Sequence, residues 1–469
     1  MSSLSALDSL LGASSSGIDL SSILEAAYGA SSPGIDVTSA VSAAVTAARA
    51  PEQAWENEEA TLQSQVSGLT QIQTDATNLD NDVQALNSLT GPFSASTVTS
   101  SDSSVVSASA AAGTVAGNHV VVVNNLATTA SWVSGTYASS STAVPAGSFT
   151  ITTGSGSSAT ITTDGTQTLA SVASQINGDN LGVTASVVTD ASGARLAITA
   201  NASGSASNFS VSPSGSSALG LAQAVTGTNA SLTVDGISIS SASNTVTNAI
   251  PGISLNLLSA NPSEQVSLQV APDISQATTA INQFVSDYNT VITDLSNQFA
   301  FSGSSQGVLA DDSTVRNLQT DVLGALDYTA TPASGSTTVP NLSSMGITVN
   351  NDGTLTVNSS ALQSSLQNNF SDVQNFFQGT SLNGFANTLD QQLQSFISSD
   401  NGAFTVDLST MNTQISGLQT DVSNFEANYI TPLQAQLQSE YSSAEVALQQ
   451  LPSEMQQINA ELGGNNSNN

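Results

Sequence analysis

The feature that most constrains this chain is a change in the period of its apolar residues. From Leu62 they recur as Leu62, Val66, Leu69, Ile72, Ala76, Leu79, Val83 and Leu86, in steps of three and four that place them on one face of a helix. The other end repeats the pattern with Met411, Ile415, Leu418, Val422, Phe425 and Tyr429. After a break it resumes with Leu448, Leu451, Met455, Ile458 and Leu462. Between about 95 and 270 the period drops to two. Short β-rich segments at 119–123, 148–153, 159–163, 182–189, 194–200, 231–239 and 253–258 are punctuated by Gly, Asn, Asp and Ser. Within this block only 168–177 reads as helix, while 136–147 and 201–220 read as Ser/Gly-rich loops. A chain that is helical at both ends and β in the middle is not a string of independent domains. The expected class is α+β multidomain: a helical bundle or coiled coil from both chain ends, enclosing an inserted pair of β-rich domains.

Local signals refine this picture. Thr431-Pro432-Leu433-Gln434 has the form of a capping box with Pro at the first helical position, which predicts a fresh helix start. Leu451-Pro452 predicts a restart or a kink. Asp273, after Pro272, is placed to cap a helix lined by Ile274, Ile281, Phe284, Tyr288, Ile292, Leu295 and Phe299. Asn351-Asp352-Gly353 separates two β-forming runs and supplies the positive φ of a tight hairpin, with a helix expected at 361–366. The inner helices of the two ends can bury their stripes on each other. The outermost stripe, Leu448, Leu451, Met455, Ile458 and Leu462, has no core of its own and is expected to contact another chain.

Charge narrows the function. The 469 residues include 35 acidic and three basic ones (Arg49, Arg195 and Arg316, with no lysine), for a net charge of −32. Charged residues make up 8% of the chain, against about 25% in ordinary soluble domains, and 39% hydrophobic residues still suffice for large cores. Without a basic stripe the chain cannot track nucleic-acid phosphates, and an anionic membrane surface is disfavoured for the same reason. The uncompensated carboxylates repel one another, which predicts that acid favours compact assembly and points to acidic surroundings. Zero Cys excludes disulfides, thiolate metal sites and a Cys nucleophile. The first residues have neither a basic n-region nor an apolar h-region, so no Sec-type signal is expected, and no run of about 18 apolar residues predicts a membrane span. The Ser/Thr-rich, Lys-free composition nonetheless reads as extracellular.

No catalytic, cofactor or metal set emerges. His119, the one histidine, lies in an apolar run and reads as a strand residue at a sheet edge. Asp311-Asp312 precede Ser313-Thr314 and read as a helix start, where carboxylates favour the helix dipole. Asn350-Asn351-Asp352-Gly353 lacks the spaced carboxylates and terminal Glu of a calcium loop. Gly113, Gly117, Gly154 and Gly156 lack the strand–turn–helix setting of a phosphate cradle. An enzyme is not expected.

Ordered motifs carry a family resemblance. Ser16-Gly17-Ile18-Asp19-Leu20, Gly34-Ile35-Asp36-Val37 and Arg49-Ala50-Pro51 are followed by Pro92-Phe93-Ser94-Ala95-Ser96-Thr97 and Ser101-Asp102-Ser103, then Ala116-Gly117-Asn118 and Asn125-Leu126-Ala127. Thr168-Leu169-Ala170, Gln175-Ile176-Asn177 and Val183-Thr184-Ala185 look like the "IN" module of flagellins and hook proteins. Val234-Asp235-Gly236-Ile237, Ser243-Asn244-Thr245-Val246 and Ile250-Pro251-Gly252-Ile253 follow. Phe284-Val285, Tyr288-Asn289, Val315-Arg316 and Asp352-Gly353-Thr354-Leu355 complete the series over most of 16–425. Their order resembles the bacterial flagellar filament cap family, also called hook-associated protein 2. Two departures stand out. Gly-Ile-Asp occurs twice, so 1–33 reads as an extension, and Pro432 and Pro452 interrupt a terminal helix that the family tends to run more continuously.

The resemblance implies terminal helical legs (1–48 and 430–469) and a helical bundle (49–92 and 272–429) with a β-hairpin near 346–357. It further implies a first β domain (93–135 and 221–271) and a second (136–220) carrying the "IN" module. It implies a non-enzymatic structural protein at the distal tip of the bacterial flagellar filament, secreted and extracellular, that retains exported flagellin and guides its polymerisation. Implied partners are a homo-oligomeric ring, flagellin, neighbouring hook-associated proteins, the flagellar type III export machinery and a chaperone, with no nucleic acid and no membrane insertion. The rivals are another hook-associated or flagellin-like filament protein, and a surface adhesin, which family members can also be.

Overall fold

The computed structural model describes residues 36–213, 219–300, 306–330 and 338–463. Two helices open it, α1 (Val37–Ala48) and α2 (Ala50–Asn87). Strands β1 (Ser96–Ser100), β2 (Val106–Ala110), β3 (Gly117–Asn125), β4 (Ser131–Val133), β5 (Gly147–Thr153) and β6 (Ser158–Thr163) lead to α3 (Leu169–Gly178). Then come β7 (Val183–Asp190), β8 (Gly193–Ala200), β9 (Phe209–Pro213), β10 (Ala222–Val225) and β11 (Ala230–Val234). Next are β12 (Ile237–Ser241), β13 (Thr245–Ile250), β14 (Ile253–Leu257) and β15 (Asn261–Pro272). Helices α4 (Ile274–Phe299) and α5 (Ser313–Ala325) precede the hairpin of β16 (Ile347–Val349) and β17 (Leu355–Val357). The chain ends in α6 (Ser359–Asn368), α7 (Phe370–Gln378), α8 (Phe385–Ile397), α9 (Ala403–Phe425), a π-helical turn (Glu426–Ile430) and α10 (Thr431–Gly463). The fold is mixed α+β, with helices at both ends and a β-rich middle. Among the described residues no helix is long and apolar enough to cross a membrane.

The chain divides into two compact units. One, made of Met1–Asp80, Asp287–Gly324 and Gln391–Asn469, is helical where it is described. Leu69, Ile72, Ala76 and Leu79, from the expected stripe of α2, are buried in it together with Tyr288, Ile292 and Leu295 of α4. Phe396 and Phe404 pack with ring centroids 5.8 Å apart. Arg316 on α5 stacks over the Phe299 ring at 5.4 Å and donates to the Ala310 carbonyl, so this cation closes the 306–312 loop. Asp312 caps α5 by accepting from the Thr314 and Val315 amides at 2.8 and 3.1 Å, the helix start expected for Asp311-Asp312.

The other unit, Asn81–Ser286 and Ala325–Asp390, holds every strand among the described residues. A five-stranded sheet, ordered β1-β15-β3-β11-β12, and a three-stranded one, β13-β14-β2, share a core of Val121, Val123, Leu232, Leu255, Val266 and Leu268. A second core joins the sheets β10-β4-β8-β7 and β6-β5-β9 through α3 and contains Phe149, Ile151, Ile161, Val172, Ile176 and Ile198. Alternation drives both: along β8 every second residue is buried, and along β11 Ala230, Leu232 and Val234 point inward. Ala130, Trp132 and Leu221 pack with the second core, so the chain passes between the cores near 126–130 and 226–230. Thr168 caps α3 through a reciprocal bond with Ser171, and Asn177 on α3 both donates to and accepts from the Ala185 backbone.

Four expectations are corrected. The run 201–220 is not all loop: Phe209 and Val211 alternate inward, and β9 pairs with β5, its signal hidden by flanking serines. His119 is a strand residue but not an edge one, because β3 is the central strand of five. Thr431-Pro432 does not start a new helix. Thr431 already has helical φ and ψ, and its amide bonds the Glu426 carbonyl five residues back, so α9 runs into α10 through the π-turn. The missing Pro432 N–H and the bulk of its ring are accommodated just beyond the widened turn. The helix also runs through Pro452 without restarting.

Candidate functional site

The groups weighed for chemistry serve the fold. His119 Nδ1 lies 2.7 Å from Asp235 Oδ2, and the Val120 amide donates to Asp235 Oδ1 at 2.8 Å. The His119 hydrogen bond and then the Val120 amide hold the Asp235 carboxyl below its usual range. Asp235 (φ 50°) and Gly236 (φ 85°) form the β11–β12 turn, so the pair fastens a hairpin to the neighbouring strand. Asp352 accepts from both the amide and the hydroxyl of Thr354 and closes the β16–β17 turn.

The informative geometry lies where the two chain ends meet. Helix α1 starts at Asp36, whose carboxylate accepts from the Ser39 amide at 3.1 Å. Val41 and Val45 on α1 bury against Ile430, with Val37, Ala48, Phe425, Leu437 and Tyr441 around them. An open groove of about 440 Å³ runs beside this seam, lined by Val37, Val41, Val45, Arg49, Gln434 and Gln438 among others. The next level is polar. Arg49, between α1 and α2, reaches Glu52 at 2.8 Å and also pairs with Glu426 in the π-turn. Glu52 is 5% exposed, and burial followed by its hydrogen bond to Glu426 pushes its carboxyl above the ordinary range, with Arg49 opposing. Trp55 packs edge-on against Phe425 at 5.5 Å, and Gln419 donates to Glu59 at 2.7 Å, so α2 and α9 run antiparallel as a hairpin. A second acidic pair lies deeper. Gln71 donates to both Asp75 oxygens at 3.1 and 3.0 Å, while burial and then Asp75 itself raise the carboxyl of Asp294.

The hairpin leaves part of its stripe open. Leu62 and Val66 on α2, and Met411, Leu418, Val422 and Phe425 on α9, are only half-buried. Tyr429, expected inside the stripe, is 50% exposed, while Ile430, not expected there, is 1% exposed. The π-turn inserts one residue and rotates the buried face by about 100°. Leu448, Leu451, Met455, Ile458 and Leu462 stand on helical backbone, and their side chains lie outside the described residues. The Arg49–Glu52–Glu426 cluster escaped sequence reasoning. Its signal was Arg49 as the lone basic residue of 1–87 and 403–463.

Comparison with known proteins gives a consistent picture. The family model for the flagellar hook-associated protein 2 N-terminus matches residues 33–130, and that for the flagellar hook-associated protein 2 C-terminus matches 227–457. The flagellin hook IN motif matches 148–202, the stretch from β5 to β8. The B-type flagellar hook-associated protein 2 of Pseudomonas aeruginosa is 26% identical over 221 residues, 46% of this chain and 45% of that protein. The A-type protein of the same species is 30% identical over 172 residues, 35% of each chain. The chain therefore spans less than half the length of these relatives. The D1-D2-D3 domains of the flagellar cap protein FliD from Escherichia coli superpose with a TM-score of 0.57 at 27% identity, covering 74% of this chain and 99% of that one.

Proposed function

The chain belongs to the flagellar hook-associated protein 2 family, and from that premise we propose that it caps the distal end of a bacterial flagellar filament, outside the cell. In this reading it is a structural protein without catalysis. A ring of identical subunits retains flagellin delivered by the flagellar type III export channel and guides it into the filament. Neighbouring hook-associated proteins and an export chaperone are its further partners. The segments 93–135 with 221–271, and 136–220, supply the β domains of the plate. The segments 49–92 and 272–429 supply the bundle, and 1–48 and 430–469 the legs.

One observation carries this reading. The N- and C-terminal family models flank the IN motif in order, and the fold nests the β-rich middle between paired helical ends in the same order. The half-buried stripe of the α2–α9 hairpin supports a role in assembly, because a two-helix pair leaves apolar surface that a further chain can cover. The IN motif favours a second reading, a flagellin-like filament protein, and the two separate in a deletion strain. A cap is required for growth, so the strain should shed flagellin monomer into the medium and carry no long filaments, and the restored gene should rescue elongation. Normal filaments in the deletion strain would exclude the cap role.

A further inference from the structure

The C-terminal helix can be phased in two ways. With the π-turn, Ile430 joins the seam, Leu437 and Tyr441 follow it there, and Tyr429 faces out. In the sequence Ile430, Leu437, Ala444, Leu451 and Ile458 recur every seven residues, so the apolar pattern expected at 448–462 keeps the spacing set from Ile430. Without the π-turn, a regular helix would carry the stripe of Val422 and Phe425 on to Tyr429 and Leu433. Every position beyond would rotate by about 100°. The two phases therefore differ in how the helix beyond 430 is turned relative to α9.

Two features could hold the π-turn: Pro432, just after it, and Arg49, which pairs with Glu426 inside it and with Glu52 on the facing helix. We propose that Arg49 is a register latch: by tying Glu426 to Glu52 it holds the π-turn and so fixes the face that the C-terminal helix offers to a partner chain. The break between α1 and α2 falls at the same level, at Arg49 itself, so both strands of the hairpin have their irregularity where the latch sits. No other basic residue occurs in 1–87 or 403–463, so neither carboxylate has a substitute counter-ion from these segments. The purpose of the latch rests on the assembly role proposed above, but its geometry does not.

The absence of cysteine makes a direct test simple. Spin labels at Ser67→Cys on α2 and Ser439→Cys on α10, both exposed, report the phase of the terminal helix by electron–electron distance in the purified full chain. Arg49→Gln should add a second, resolved distance displaced by several ångströms, whereas Pro432→Ala, with the latch intact, should keep the parent distance. An unchanged or merely broadened distribution in Arg49→Gln, or a displaced one in Pro432→Ala, would overturn the latch. Because no filament is involved, a negative result leaves the cap reading standing, and failure of the cap reading leaves this measurement valid.

Discussion

At Gly353 the backbone turns through φ 85° between β16 and β17, with Asp352 tied back to Thr354. A β-branched side chain is strained in that region, so Gly353→Val is expected to destabilise the chain by on the order of 1–2 kcal/mol or more. Thermal melting checks it, and an unchanged melting temperature would contradict the turn's importance. Residues of this kind are legible in a sequence because their chemistry is local. Asp273 accepts from the Ser275 and Gln276 amides as its place after Pro272 suggested, and Thr168 caps α3. Ile430 was not legible, because a one-residue insertion in a helix leaves no mark in an apolar pattern. Nor was the aromatic cluster of Phe93, Phe284, Phe376, Phe377, Phe385 and Tyr328, drawn from four separate stretches of sequence that meet only in the fold.

At the scale of elements, long periodic helices and alternating strands were readable, whereas α7 and α8 were not anticipated and β9 was hidden in a Ser-rich run. The stripe of α2 reads as one line in the sequence, yet burial becomes complete only from Leu69 onward. The terminal stripe remains the element on which assembly is expected to depend. A lone amphipathic helix gains its stability from packing, so Leu451→Asp with Ile458→Asp should abolish filament elongation and leave the β-rich unit folded. Circular dichroism of the purified variant reads the fold, and microscopy of the cells reads elongation. Full-length filaments from the double variant would remove the stripe from the mechanism.

Over the described residues the shifted carboxylates move in two directions, and Asp36 at the start of α1 is lowered, first by its hydrogen bond from the Ser39 hydroxyl. Glu52 and Asp294, in the helical unit, are raised mainly by burial. They bind protons more readily when folded, so they weaken the fold at neutral pH, and acidification through their raised values relieves that cost. Asp102, Asp164, Asp190, Asp235, Asp352 and Asp372, in the β-containing unit, are each lowered first by a side-chain hydrogen bond from Ser, Thr or His119. Their contribution is complete above the unfolded value of about 4 and is lost as the pH falls through the lowered ones. The two tryptophans divide the readout, Trp55 in the helical unit and Trp132 in the other. In single-tryptophan variants the Trp55 transition should rise in temperature from pH 7 to pH 5, most at low salt, where the net −32 is least screened. The Trp132 transition should fall below about pH 4. Transitions that shift together in one direction would contradict this division. Gold-labelled antibody against the chain, viewed on intact filaments under the electron microscope, reads directly whether the chain ends a filament. Gold is expected only at the distal end of each filament, and gold distributed along the shaft would contradict a cap.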